Sequence, residues 1–157
     1  LLNKFGGHAM AAGMSLAKAD YSRFAEAFDA IVAELTSPEQ LTAAVYSDGE
    51  LTAEDLSLER AELLRGAGPW GQSFPEPLFH GRFRLVQQRI VGARHLKMVL
   101  APEQGGEQIF DAIAFNIDTD VWPSPDTEYV ELVYKLDSNL FRERLSLQLM
   151  VEHLRPL

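Results

Sequence analysis

From Leu78 to about Val91 apolar residues recur at every second position, and the alternation breaks phase once. Phe79, Phe83 and Leu85 alternate with His80, Arg82 and Arg84; after the slip, Val86 and Ile90 take the apolar face. A period of two marks a strand with one buried face. One slip inside a long strand is what a β-bulge produces, because an extra residue moves every later side chain to the other face. A long strand that must bend suits a barrel corner. The following residues agree: Leu96, Met98 and Leu100 alternate with His95 and Lys97, and Gly105-Gly106 suits a turn. Residues 109–115 and 129–136 supply a third and a fourth strand, and Leu145, Leu147, Leu149 and Val151 set the inward face of a fifth. Five strands, the first long and bulged, with an irregular gap at 117–126, predict an OB-like β-barrel.

The residues before this run have a helical grain. After a Gly6-Gly7-His8 turn, Ala9-Met10-Ala11-Ala12 is strong helix-forming material stopped by Gly13, and 14–16 suits a short strand. Asp20 stands as a natural N-cap before Phe24, Phe28, Ile31, Val32 and Leu35, whose helical spacing predicts a core face; Pro38 sets the end near Thr36-Ser37. Residues 43–46 then read as a strand, Ser47-Asp48-Gly49 as a turn, and 56–64 as a helix closed by Gly66 and Gly68. The segment 69–77, with Pro69, Pro75 and Pro77, is a rigid connector anchored by Trp70 and Phe74, with Trp70 expected to pack between the two parts. The fold class is α+β: residues 1–40 form a helical/αβ stub, and residues 41–157 a barrel domain carrying its own strand, helix and Pro-rich connector. Leu1 to Phe5 include no initiator Met and read as the end of an apolar helix, so the chain is expected to be part of a longer polypeptide.

Charge narrows the function classes. The net charge is -9, which opposes bulk attraction to nucleic acid, yet its distribution is uneven. Residues 1–65 carry -6 and 102–157 carry -7, whereas 66–101 carry +4. A basic strip on an acidic body can grip a strand locally; the alternative is an ordinary solvated surface. No run approaches the roughly 20 apolar residues of a membrane span, and no basic-then-apolar leader opens the chain, so no membrane partner is expected. Cysteine is absent, which removes thiolate chemistry and suits a reducing compartment such as the cytoplasm.

Two groups of residues carry candidate chemistry. Gly6-Gly7 allow a tight backbone approach to an anion, a following helix would add its positive end, and His8 supplies a donor, so the triplet suits a phosphate. On the first two strands His80, Arg82 and Arg84 share a face, as do His95 and Lys97, with Arg89 and Arg94 flanking the bend between them. Together these form the outer wall that OB folds use for oligonucleotides; edge-protecting charge is the plain alternative. The four histidines, His8, His80, His95 and His153, are scattered without ligand spacing, so no metal site is expected.

Phe5-Gly6-Gly7-His8-Ala9-Met10-Ala11-Ala12-Gly13 resembles the motif of the DHH-associated domain in the DHH phosphoesterase superfamily. The connector from Pro69 through Phe79 resembles the lead into the OB domain of the RecJ family of single-strand-specific exonucleases. Ala114-Phe115-Asn116, Tyr134-Lys135-Leu136-Asp137 and Ser146-Leu147-Gln148-Leu149 fall where that family's barrel strands place them. At Phe141-Arg142-Glu143 the chain departs from the family, which is expected to carry Gly after the Arg. The resemblance spans nearly the whole chain. It implies the C-terminal, single-stranded-DNA-binding portion of a bacterial, cytoplasmic, 5′-to-3′ exodeoxyribonuclease of DNA repair and recombination. It further implies Mg²⁺ or Mn²⁺ in the parent enzyme, bound by an upstream Asp-His-His domain. This chain has no Asp-His-His, so no cofactor and no hydrolysis are expected of it alone. Two alternatives stay open: a superfamily member for short oligonucleotides, and a barrel that docks a single-strand-binding protein.

Overall fold

A computed structural model describes residues 1–104 and 108–157. It divides into two compact units, Leu1–Val45 and Tyr46–Leu157. This division falls a few residues beyond the expected boundary at 40/41. The Gly105-Gly106 turn lies outside the described residues.

The first unit begins with a hairpin where a helix was expected. β1 (Lys4–His8) pairs antiparallel with β2 (Ala11–Ser15), with Phe5 opposite Met14 and His8 opposite Ala11. Four Ala-rich residues are too few to nucleate a helix, and hairpin pairing satisfies their backbone instead. Gly7 suits this pairing: a Cβ there would lie 3.0 Å from both the Ala11 carbonyl oxygen and the Ala12 Cβ, tight enough that β2 would have to shift slightly. The opening Leu1 to Phe5 is likewise not a helix end, since strand begins at Lys4. A short 3₁₀ turn, Lys18–Asp20, leads into α1 (Tyr21–Leu35), which stops at Thr36 as expected. Asp20 occupies the N-cap position as expected, but in helical backbone and without a side-chain capping hydrogen bond. The expected core face of α1 is not buried either: Phe28 and Ile31 are each 53% exposed and Leu35 75%. Pro38 opens a single further turn, α2 (Pro38–Leu41), whose N-cap Ser37 forms a reciprocal capping box with Gln40.

In the second unit residues 43–46 run as irregular chain rather than a strand. Pairing begins at Glu50, which bridges His80 in parallel, and α3 (Leu58–Ala67) follows with Ser57 as its cap. Trp70 stacks on Phe74 at 4.8 Å and donates its indole N–H to the Leu64 carbonyl at 3.1 Å. It therefore anchors the connector within this unit.

Five strands follow: β3 (Phe79–Val91), β4 (His95–Pro102), β5 (Phe110–Ala114), β6 (Tyr129–Phe141) and β7 (Arg144–Pro156). They close in the order β3-β4-β5-β7-β6, all antiparallel except β5 with β7. This is the five-stranded closed barrel of an OB-like fold. The bulge falls between Leu85 and Gln87, as the phase slip demands. Val86 is the extra residue and stays 45% exposed, contrary to the expectation that it turns inward. Gln88 takes the next inward place and ties the gap segment, accepting from the Ser124 N–H at 2.9 Å and donating to its carbonyl. Leu96, Met98, Leu100, Leu132, Tyr134 and Leu149 are fully buried inside the barrel. Burying one such leucine stabilises by roughly 1.5–3 kcal/mol. Leu145 was expected inside but is 40% exposed, because the β6–β7 hairpin pairs only with itself at that end.

Candidate nucleic-acid interface

The bulge decides which cations share a surface. Before it, His80, Arg82 and Arg84 point outward from β3; after it, Gln87, Arg89 and Val91 do. Without the extra residue Arg89 would point into the core. Because of it, Arg89 becomes the direct cross-strand partner of Lys97 on β4. Lys97 lies 3.3 Å from Asp111 on β5 and is held in place by it. Arg89 makes no ion pair among the described residues, so this patch keeps positive charge. Arg94 is exposed in the β3–β4 turn, where Gly92 takes a left-handed φ of +61° that glycine adopts without strain. Of the two residues expected to flank the bend, only Arg94 does so; Arg89 is in the strand itself.

The other half of the strip is less free. Arg82 approaches Glu131 at 3.9 Å, and Glu131 also bonds Arg155, so one carboxylate serves two guanidiniums. Exposed pairs of this kind contribute about 0–1 kcal/mol, which leaves Arg82 able to exchange partners. Arg84 is opposite Ala101 on one side and the half-exposed Tyr129 on the other, without an ion pair among the described residues. His80 is committed to structure: its Nδ1 lies 2.8 Å from the Ser47 hydroxyl, and its backbone N–H donates to the Gly49 carbonyl.

The barrel thus gathers Arg89, Lys97 and Arg94 at one end of the β3–β4 ribbon and Arg82 with Arg84 towards the other. Gly6, Gly7 and His8 belong to the first unit, on the exposed β1 strand. No helix starts behind them, so the expected helix-end contribution to anion binding is absent.

Sequence reasoning missed the aromatics. Phe115 is 48% exposed and meets the His95 ring edge to face at 4.9 Å. The register Leu96 to Ala114 makes those two residues neighbours, a non-local pairing that no local pattern announces. At the β6–β7 tip, Phe141 is 64% exposed with the Arg142 guanidinium 5.2 Å from its ring centre, and Arg144 follows. Arg142 and Glu143 have φ of +49° and +64°, the left-handed pair of a two-residue hairpin turn. Glu143 therefore stands where glycine would relax the backbone.

Charge elsewhere serves the scaffold. Burial alone would lower the Lys135 ammonium, but Glu76 and Glu152 on either side of it win and hold it above the ordinary lysine value. Burial pushes the Tyr134 hydroxyl far above the usual phenol value, with Glu50 and Asp55 adding to the shift. Among the described residues no three His, Asp or Glu side chains converge as a metal ion requires, so these residues do not fit a divalent-metal centre. No helix among them is long and apolar enough to cross a membrane.

Comparison with known proteins locates this geometry. Residues 47–153 match the model of the RecJ OB domain. The whole chain is 55% identical to the single-stranded-DNA-specific exonuclease RecJ of Dickeya dadantii and 50% identical to that of Escherichia coli. It covers 27% of each, so it spans about a quarter of the length of these relatives. The crystal structure of RecJ in complex with Mg²⁺ from Thermus thermophilus superposes with a TM-score of 0.74 at 24% identity, over all of this chain and 23% of that one. A second crystal structure of that protein, with Mn²⁺, gives 0.72. The β3–β7 barrel is the OB domain of these proteins, and the chain belongs to the RecJ family.

Proposed function

We propose that this chain is the strand-holding portion of a 5′-to-3′ single-strand-specific DNA exonuclease acting in DNA repair and recombination in the bacterial cytoplasm. The observation that carries the reading is the Arg89–Lys97 pair, placed side by side on the outer wall of a closed OB-order barrel with Arg94 beyond it. Cations at that spacing suit successive phosphates, and the relatives' specificity for single-stranded DNA supports the same substrate. Arg82 and Arg84 extend the wall along β3. The chain alone carries out no hydrolysis; Mg²⁺ or Mn²⁺ and their ligands belong to another part of the parent enzyme. Gly6, Gly7 and His8 contact a phosphate near the scissile bond when that part is present. In the full-length enzyme His8→Ala lowers turnover far more than stability, and equal activity of the two at saturating DNA would remove His8 from the mechanism.

A competition assay tests the substrate class. Unlabelled long single strands should displace a labelled strand from the chain, whereas duplex and dinucleotides at equal nucleotide concentration should not. Displacement by dinucleotides would instead support a phosphoesterase of short oligonucleotides. A protein-docking barrel, with a single-strand-binding protein as partner, is supported by the acidic cleft of about 760 Å³ whose rim carries Glu50, Glu54 and Glu103. That reading predicts no strand binding by the chain.

A further inference from the structure

We propose that the groove beside the end of β5 is a slot for a nucleobase of the bound strand, stacked on Phe115. This rests on the nucleic-acid reading above and adds where a base, as distinct from a phosphate, is held. The groove has a volume of about 280 Å³ and is lined by Phe115, Asn116, Ile117, Val121, Trp122 and His153 among others. Trp122, 5% exposed, gives it an apolar floor, while Phe115 and Val121, 48% and 52% exposed, stand at its rim.

Phe115 is held in place by its surroundings. His95 packs against its ring, and the His95 Nδ1 accepts the Asn116 backbone N–H at 3.2 Å. Asn116 has a φ of +52°, a left-handed conformation that asparagine adopts more readily than other non-glycine residues. The Ile117 N–H donates to the Arg94 carbonyl at 3.1 Å, tying the groove to the turn that bears this exposed cation. The two carboxylates at the groove are already engaged: Glu152 with Lys135 at 3.3 Å, and Asp118 with the Asp120 N–H at 2.9 Å. An aromatic rim, an apolar floor, polar Asn116 and His153 in the lining, and the exposed Arg94 in the turn bonded to Ile117 together match a base and a flanking phosphate. An apolar protein side chain would need no such cation. Every base has a π-face, so the slot tolerates any sequence. His95 acts here as a positioning residue.

The test compares two labelled strands of equal length and backbone, an oligothymidylate and its abasic counterpart, binding to the 157-residue chain by fluorescence anisotropy. The wild-type chain should prefer the thymidylate about tenfold, the scale of one stacked base. Phe115→Ala should reduce thymidylate affinity to the abasic level while leaving abasic affinity and salt dependence unchanged, which a collapsed barrel would not do. Phe115→Trp should keep the preference. His95→Leu should weaken it, and His95→Asn, which retains an acceptor for the Asn116 N–H, should restore it. Absence of binding to either strand by the wild type overturns the nucleic-acid reading itself. Binding with the preference intact in Phe115→Ala overturns the slot alone.

Discussion

The two units of this chain are both amphipathic in sequence, yet only one has an interior. Every fully buried apolar residue among those described lies between Leu56 and Val151; none lies in Leu1–Val45. In β4, Leu96, Met98 and Leu100 alternate with less buried residues and are all 0% exposed. In α1, Phe28, Ile31 and Leu35 keep helical spacing just as well and remain more than half exposed. Periodicity thus reports which face of an element is apolar and leaves open what covers it. For the barrel the cover is local to the unit, because five strands close on themselves. A hairpin and a helix cannot enclose a core of their own.

The largest expected effect sharpens this contrast. Leu100→Ala should cost about 2–5 kcal/mol of barrel stability, whereas Leu35→Ala in the same chain should change stability by roughly 0.5 kcal/mol or less. Denaturant unfolding followed by tryptophan fluorescence isolates the barrel, because Trp70 and Trp122 both belong to the second unit. Far-UV circular dichroism then follows α1. Equal losses at the two positions would break the comparison.

Within the barrel, the buried Tyr134 hydroxyl finds no hydrogen-bond partner among the described residues. Tyr134→Phe should therefore stabilise the barrel by about 1 kcal/mol. The same group predicts an alkaline weakness. With its folded pKa raised, the folded state holds its proton where the unfolded chain releases it, so stability falls as pH rises through roughly 10. Thermal melts across that range should show the loss in the wild type and a shallower one in Tyr134→Phe. A smaller gain, about 0.5–1 kcal/mol, is expected for Glu143→Gly, which relieves a left-handed backbone at the β6–β7 tip. A loss of stability there would show that the Glu143 side chain contributes more than its backbone costs.

The barrel was legible because strand periodicity, one phase slip and five apolar runs constrain each other. The bulge between Leu85 and Gln87 can be read from residues alone, whereas which residue is extra cannot: Val86 is as apolar as its inward neighbours yet is the one the bulge turns out. The hairpin β1–β2 was not legible: Ala9 to Ala12 favour helix locally, and the cross-strand fit of Gly7 against Ala11 and Ala12 overrides that preference. At the candidate site, Arg89 and Lys97 were visible as cations, and their pairing follows from the bulge. Phe115 is visible as a strand residue, but its meeting with His95 is not, because that depends on β4–β5 register, a contact between residues 95 and 115 that no local window contains.

The salt dependence of oligothymidylate binding tests most directly whether Arg89 and Lys97 grip a sugar-phosphate chain. The logarithm of the binding constant should fall linearly with the logarithm of salt concentration. The slope should become shallower by about 0.7 for each of Arg89→Ala and Lys97→Ala. A slope near zero, or one that neither substitution alters, would mean that this wall does not hold DNA.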